Sequence, residues 1–334
     1  MKKSLMTLGV LALFVLMAYG QEKKFALYSV AFYNMENLFD TIHDEGKNDY
    51  EYLPNGTNQW NTMKYKAKLK NMSEILSLLS TDKLPMGPAI IGVSEIENYR
   101  VLEDILKQPA LADRGYQYVH YEGEDQRGVD CAFFYNPKLF ELTNSKLVPY
   151  VYINDTIHKT RGFLIASGNI AGEKMHFIVN HWPSRAAASP ARERAGEQVR
   201  AIKDSLLRED SAAKIVIMGD MNDDPMDKSM AVALGAKRKP ADVGPTDLYN
   251  PWWDTLKKGY GTLMYKGKWN LFDQIVFTGN LLGTDRSTLK FYKHEIFRRD
   301  FMFQKEGKYK GYPKRTQAGG VWLNGYSDHL PTII

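Results

Sequence analysis

Short runs of successive apolar residues, each halting at an acid, an amide or an imidazole, recur along this chain. Residues 27–33 run into Asn34-Met35-Glu36-Asn37, and residues 89–93 into Ser94-Glu95-Ile96-Glu97-Asn98. Residues 175–179 run into Asn180-His181, and residues 214–218 into Gly219-Asp220-Met221-Asn222. Runs this short, rich in Val, Ile and aromatics, read as buried strands. Further strands are expected at 117–121, 129–135, 163–170 and 271–277. Apolar residues at helical spacing (Leu69, Met72, Ile75, Leu76, Leu79) predict a helix over 63–79, with others at 101–106 and 190–207. Strands with few hairpin signals, interrupted by a few long helices, predict stacked sheets covered by helices.

Composition bounds the rest. The chain has 334 residues, 44% hydrophobic and 12% aromatic, with no fixed-period repeat and no linker that would divide it. One domain over 21–334 is expected. Ahead of it, Lys2 and Lys3 precede an apolar run that ends at Ala18-Tyr19-Gly20. A positive end, a short apolar core and a small-residue exit describe a secretory signal over 1–20, cleaved near Gly20. The run is too short to span a bilayer, and no cysteine follows it for a lipid anchor. Export to the periplasm or the medium, without a stable membrane anchor, is the expectation. The single cysteine, Cys131, sits in an apolar run and is expected to be buried.

The formal charge of +5 is too mild to imply nucleic acid by itself. Residues 290–315, however, hold nine Lys/Arg against Glu295, Asp300 and Glu306, interleaved with aromatics. Cations and aromatic faces would suit single-stranded nucleic acid; the alternative is an insertion whose aromatics pack inward.

The polar strand ends carry the chemistry. Hydrolysis of a phosphoester needs charge neutralised on phosphoryl oxygens and a proton taken from water. Carboxylates at 36, 95, 220, 273 and 328, amides at 34 and 222, and imidazoles at 181 and 329 supply both functions. Asp273 stands inside an apolar strand, where an unpartnered carboxylate is costly, so it needs a hydrogen-bonding or cationic partner.

These segments, with Trp182-Pro183-Ser184-Arg185, Phe272-Asp273-Gln274 and Ser327-Asp328-His329-Leu330-Pro331, resemble the endonuclease/exonuclease/phosphatase (DNase I-like) family. The resemblance runs from Tyr33 to the C-terminus. It implies a four-layer α/β sandwich, with two mixed β-sheets face to face, helices outside, and the site at one edge of the sheets. It implies Glu95 as principal metal ligand, with Asn34, Glu36 and Asp328 in or near the shell of Mg2+, or of Mn2+ or Ca2+ in its place. Asp220 and Asn222 would orient water, Asp220 being the base, and His329 would pair with Asp273. His181 would contact phosphate or help protonate the leaving group, and Arg127, Arg185 and Asn34 are candidate phosphate contacts. Abasic-site members carry a Tyr near the start of the strand where this chain has only Arg127 and Asp130. That departure suggests an Asp130–His181 pair, as in the DNase branch.

Three functions are weighed, and the first is favoured over the second. They are a secreted nuclease acting on DNA or RNA, a phosphatase or phospholipase acting on a small or lipid phosphoester, and a non-catalytic binding module. Retention of every acid, amide and imidazole weighs against the last. Zinc is disfavoured, because no clustered Cys/His spacing occurs. A monomer is expected.

Overall fold

Residues 25–153 and 157–334 are described in a computed structural model of the protein; the expected secretory leader lies outside them. The first half contributes β1 (Val30–Leu38), β2 (Ile90–Ile96), β3 (Gln117–His120), β4 (Asp130–Tyr135), β5 (Glu141–Val148), β6 (Phe163–Ile170) and β7 (Glu173–His181). The second half adds β8 (Lys214–Asp220), β9 (Ala236–Lys237), β10 (Leu248–Tyr249), β11 (Leu263–Tyr265), β12 (Lys268–Asn270) and β13 (Asp273–Thr278). The short strands β14 (Glu295–Ile296), β15 (Gln317–Ala318), β16 (Val321–Trp322) and β17 (Thr332–Ile333) complete the set.

Two mixed sheets result. One has the order β14-β17-β1-β2-β4-β3, the other β5-β6-β7-β8-β13-β10-β9. Successive apolar positions serve opposite faces of each sheet. From the first sheet, Phe32, Ile90 and Phe133 point inward and meet Phe177, Val179, Met218 and Ile275 of the second. Their neighbours Tyr33, Ile91 and Phe134 point outward onto the helices α1 (Thr62–Leu78) and α2 (Tyr99–Leu106). On the far side, Ile178, Ile215 and Ile217 pack under α3 (Ser189–Glu209). The layering is therefore helix, sheet, sheet, helix, as the sequence predicts. Continuous apolar runs are the signature of strands covered on both sides.

Side-chain caps mark where the helices start. The Asn61 side chain accepts from Lys64 N at 3.1 Å, and the Asn98 side chain from Arg100 N at 2.9 Å, each satisfying an amide left open in the first turn. Cys131 is buried among the inter-sheet residues, as expected, and burial raises its thiol pKa well out of the reactive range. Trp252 is fully buried in the same core. No helix among the described residues is long and apolar enough to cross a membrane.

The first strand departs from expectation. It was predicted to stop at Tyr33, yet β1 continues to Leu38, with its register against β2 shifting between Asn34 and Leu38. The pairing of β2 with β4 shifts likewise between Ser94 and Ile96. Such bulges re-aim side chains, and these two lie side by side at one edge of the sheet.

Two glycines allow a close approach, one between the sheets and one between paired strands, and they should respond differently to an added methyl. A Cβ at Gly92 would meet Met218 Sδ at 2.5 Å, the movable end of a side chain across the sheet interface. A Cβ at Gly219 would stand 2.4 Å from the Asn180 carbonyl oxygen of the paired strand, which cannot move without opening β7 from β8. Gly219→Ala is expected to lower unfolding stability by about 1–3 kcal/mol, as overpacking does, and Gly92→Ala by less. Urea titration of the two variants checks the order.

Candidate active site

The bulges bring the ends of β1 and β2 over those of β7 and β8. Among the described residues, four of the nine non-glycine residues with positive φ, namely Glu36, Asn37, Glu95 and Asn222, lie here. Backbone held in that sparsely populated region marks a place where position outweighs local comfort.

At the centre stands Asn34. Its side-chain oxygen, Oδ1, accepts from Glu36 N at 2.8 Å, which fixes the amide so that its NH2 faces the acids. That NH2 donates to Glu95 Oε1 at 3.1 Å and to Asp220 Oδ2 at 3.0 Å. Glu95 is held further by Asn37 N, which donates to Oε2 at 3.0 Å. His181 Nε2 lies 3.6 Å from Glu95 Oε1 and 3.7 Å from Asp220 Oδ2. Burial, reinforced by the Arg161 and Arg127 charges, pushes the His181 pKa well below the ordinary range, so the ring is neutral.

Antiparallel pairing of β8 with β13 sets Asp220 directly opposite Asp273. Like charges in that relation repel. His329 answers them both: Nδ1 meets Asp273 Oδ2 at 2.7 Å and Nε2 lies 3.8 Å from Asp220 Oδ2. Burial would lower this imidazole's pKa, but Asp273 and Asp220 override it and raise it well above the usual value. The predicted Asp273–His329 pair is thus present. Asp220 itself is pushed up to about 7, first by burial and then by Asp273, against the lowering effect of His329. Asn222 N donates to Asp220 Oδ1 at 2.9 Å and its side-chain NH2 to Trp182 O at 3.0 Å, leaving the side-chain oxygen turned to neither.

Other expected residues stand elsewhere. Asp130 is not His181's partner: its Oδ2 lies 3.3 Å from His120 Nε2, and both its oxygens accept from Gly123 N at 3.1 Å. His120 and Asp130 sit on the adjacent strands β3 and β4, whose register brings them together before His181 can compete. Glu36 and Asp328, expected in or near the metal shell, stand outside the groups of ligating atoms that surround Asp220. Among the described residues, the groups of ligating atoms around Asp220 are Glu95–His181–Asp220 and Asp220–Asp273–His329. The bulge turns Glu36 instead towards Arg315, whose Nε donates to Glu36 Oε1 at 2.7 Å and whose Nη2 lies 3.0 Å from Asp328 Oδ2. Thr316 N also donates to Glu36 at 2.7 Å, and burial together with Asp328 raises the Glu36 pKa to about 7.

Arg185 is likewise not free for phosphate. Its guanidinium donates to Asn222 O and contacts Asp223, Asp224 and Asp227, and it lies over the Phe272 ring at 4.4 Å. Arg127 remains half exposed, with only a 3.6 Å approach to Asp125. Sequence reading missed Arg161, Arg315 and Lys68. Buried Arg161 donates to Asp125 Oδ2 at 3.0 Å and to Trp182 O at 2.8 Å, fixing the turn after His181. Buried Lys68 faces Glu36 and Asp328; burial lowers its pKa to about 8 despite them. The only forewarning was that buried acids need cations, which names no particular partner.

The donor set fits a hard divalent cation. Glu95 and Asp220 converge as oxygen donors in a buried setting where their charge calls for compensation, no cysteine approaches, and Arg315 with Lys68 already serves Glu36 and Asp328. Two facing mixed sheets with helices outside, and this acid–amide–imidazole cluster at their edge, define a phosphoester hydrolase. The chain belongs to the endonuclease/exonuclease/phosphatase family, whose sequence profile matches residues 29–334. No curated protein matches the sequence.

Among solved structures, an endonuclease/exonuclease/phosphatase family protein from Bacteroides thetaiotaomicron is similar at TM-score 0.56 and 15% identity, over 92% of this chain and 96% of that one. A mannosyl-6-phosphatase from Bacteroides thetaiotaomicron VPI-5482 is similar at 0.53 and 15%, over 92% and 98%. D. rerio TDP2, complexed with single-strand DNA product, is similar at 0.52 and 14%, over 92% and 97%. At such identities the likeness establishes the fold.

Two substitutions separate the pairings. Asp273→Asn is expected to cut turnover at least about a hundredfold, because His329 loses the charge that keeps it cationic. Asp130→Asn, which loosens His120 and the Gly123 turn, is expected to lower stability by about 1–3 kcal/mol while turnover stays near the parent's. Steady-state kinetics with parallel thermal melts check both.

Proposed function

We propose that the chain is an exported, metal-dependent hydrolase of small phosphoesters. The observation that carries this reading is the meeting of Asn34, Glu95, His181, Asp220 and His329 from separate strand ends around one point. Glu95, with Asp220 beside it, would hold Mg2+, Mn2+ or Ca2+; bound there, the ion neutralises part of the charge on the phosphoryl oxygens.

The chain's own groups do the rest. Asp220 accepts the proton of the attacking water, and the side-chain oxygen of Asn222 orients that water. The new bond forms between water oxygen and phosphorus as the ester P–O bond breaks, and the leaving oxygen takes up a proton from solvent water. His329, held cationic by Asp273, donates to an oxygen on which charge grows, while the Asn34 NH2 keeps Glu95 and Asp220 in place. Neutral His181 donates a hydrogen bond there but has no proton to release. Arg127 is the exposed cation left to greet the phosphate.

The basic segment supports a small substrate. Arg298 lies over the rings of Trp269, Phe303 and Tyr260, and Arg299 over Phe297 while paired with Asp82. Phe291 and Phe297 pack into the cores. This supports the packed-insertion reading over a nucleic-acid grip. A nuclease reading keeps in its favour the exposed Lys305, Lys308, Lys310 and Tyr309 and the likeness to TDP2, which was seen with DNA product. Export rests on the 1–20 leader pattern, and N-terminal sequencing of the protein recovered from outside the cytoplasm tests it.

Chelation by EDTA should abolish hydrolysis, with recovery on adding Mg2+ or Mn2+; full activity in EDTA would overturn the metal role. Glu95→Gln should lose most metal binding by calorimetry. Replacing Lys305, Lys308 and Lys310 with Ser should leave the salt dependence of DNA binding unaltered. A nuclease using them would lose about 0.7–0.9 of log–log slope per contact.

A further inference from the structure

Beside Glu95 a second feature opens that the hydrolytic roles leave unused. It is a cleft of about 200 Å³, reached past Glu36 and Asn37 and walled by Glu51, Tyr52, Asn58, Arg315 and Gln317. The backbone of Asn37 holds Glu95 in place, so the cleft begins one hydrogen bond from the site of hydrolysis. Its far wall is the hairpin of β15 and β16, turned at Gly319-Gly320. Both glycines have positive φ, which a two-residue turn of this kind requires.

The lining selects for a particular chemistry. Pockets that hold drug-sized molecules begin near roughly 300 Å³, so this cleft suits one small group and not a run of nucleotides. It presents an amide at Asn58, an amide at Gln317 and a carboxylate at Glu51. It also presents the Tyr52 ring, whose position is set by stacking on Phe39 at 4.2 Å and 7°. Gln317 Oε1 is enclosed and meets no hydrogen-bond donor within the protein, a cost that a bound hydroxyl would remove. The single cation of the lining, Arg315, is already engaged by Glu36 and Asp328, whereas Glu51 stands unneutralised. A second phosphate or a polyanionic backbone would meet repulsion here. Hydroxyl groups would meet acceptors and donors, and their carbon face would meet an aromatic ring.

We propose that this cleft is the subsite for the alcohol half of the substrate, and that this alcohol is neutral, rich in hydroxyls and no larger than about one sugar ring. The inference rests on the hydrolase reading above and narrows it to phosphate esters of sugars or polyols. Gln317 and Asn58 determine specificity, touching the leaving alcohol and not the phosphoryl group.

The test uses the full protein with Mg2+ or Mn2+ and four probes: a hexose 6-phosphate, glycerol 3-phosphate, p-nitrophenyl phosphate and single-stranded DNA. Gln317→Ala and Asn58→Ala should each raise KM for the hexose 6-phosphate about tenfold, the loss of one or two hydrogen bonds, with kcat little changed. Hydrolysis of p-nitrophenyl phosphate, which offers no hydroxyls, should be unaffected in both, which also reports an intact fold. Calorimetry should find the hexose 6-phosphate bound by Asp220→Asn and bound about tenfold more weakly once Gln317→Ala is added. If p-nitrophenyl phosphate is hydrolysed while the hexose ester is neither bound nor cleaved, the subsite alone is overturned. The same holds if the two variants leave its KM unchanged, or if DNA is cleaved in preference. If none of the esters is hydrolysed with any metal, the hydrolase reading falls and takes the subsite with it.

Discussion

Asp220 and Asp273 face each other across two hydrogen-bonded strands, deep in the molecule, and one imidazole stands between them. Two buried like charges at that spacing would drive β8 from β13 unless a cation intervened. His329 is that cation, and it arrives from the far end of the chain, just before β17 pairs with β1. Closing the first sheet at its C-terminal strand and neutralising the second sheet's acids are therefore one event. The same contact gives the chemistry its poised groups: an imidazole kept charged by Asp273, and a carboxyl whose burial holds it near neutrality.

Around this pair, the bulges in β1 and β2 decide which acids share a centre. Regular strands would send Asn34 and Glu36 to one face, two residues apart. The left-handed backbone at Glu36, Asn37 and Glu95 breaks that alternation. Glu95 and Asn34 then turn to Asp220, whereas Glu36 turns to Arg315 and Lys68. One apparent ring of carboxylates becomes two compartments. The first is short of positive charge and suited to a divalent ion. The second is already compensated by protein cations and forms the floor of the polar cleft.

Much of this was legible in the residues. Apolar runs covered on both faces announced the layered sheets, and their polar terminators announced the site. The cost of burying Asp273 foretold a partner, and His329 proved to be it. The inference about Asp130 used the same logic and failed, because a nearer histidine lay on the neighbouring strand. His120 is ten residues away in sequence and meets Asp130 through the register of β3 with β4. Arg185 was readable as a cation near phosphate but not as one already held by the acids of residues 223–227.

Periodicity, chain punctuation and the price of buried charge are local quantities, and they determined the fold class, the core and the set of chemical groups. Which carboxylate meets which cation is decided by strand register, by bulges and by segments hundreds of residues apart. Arg315 illustrates the division. In sequence it closes a basic, aromatic stretch that could grip nucleic acid or pack inward. Only the tertiary structure carries it to Glu36 and Asp328, where it joins buried Lys68 in answering the two carboxylates.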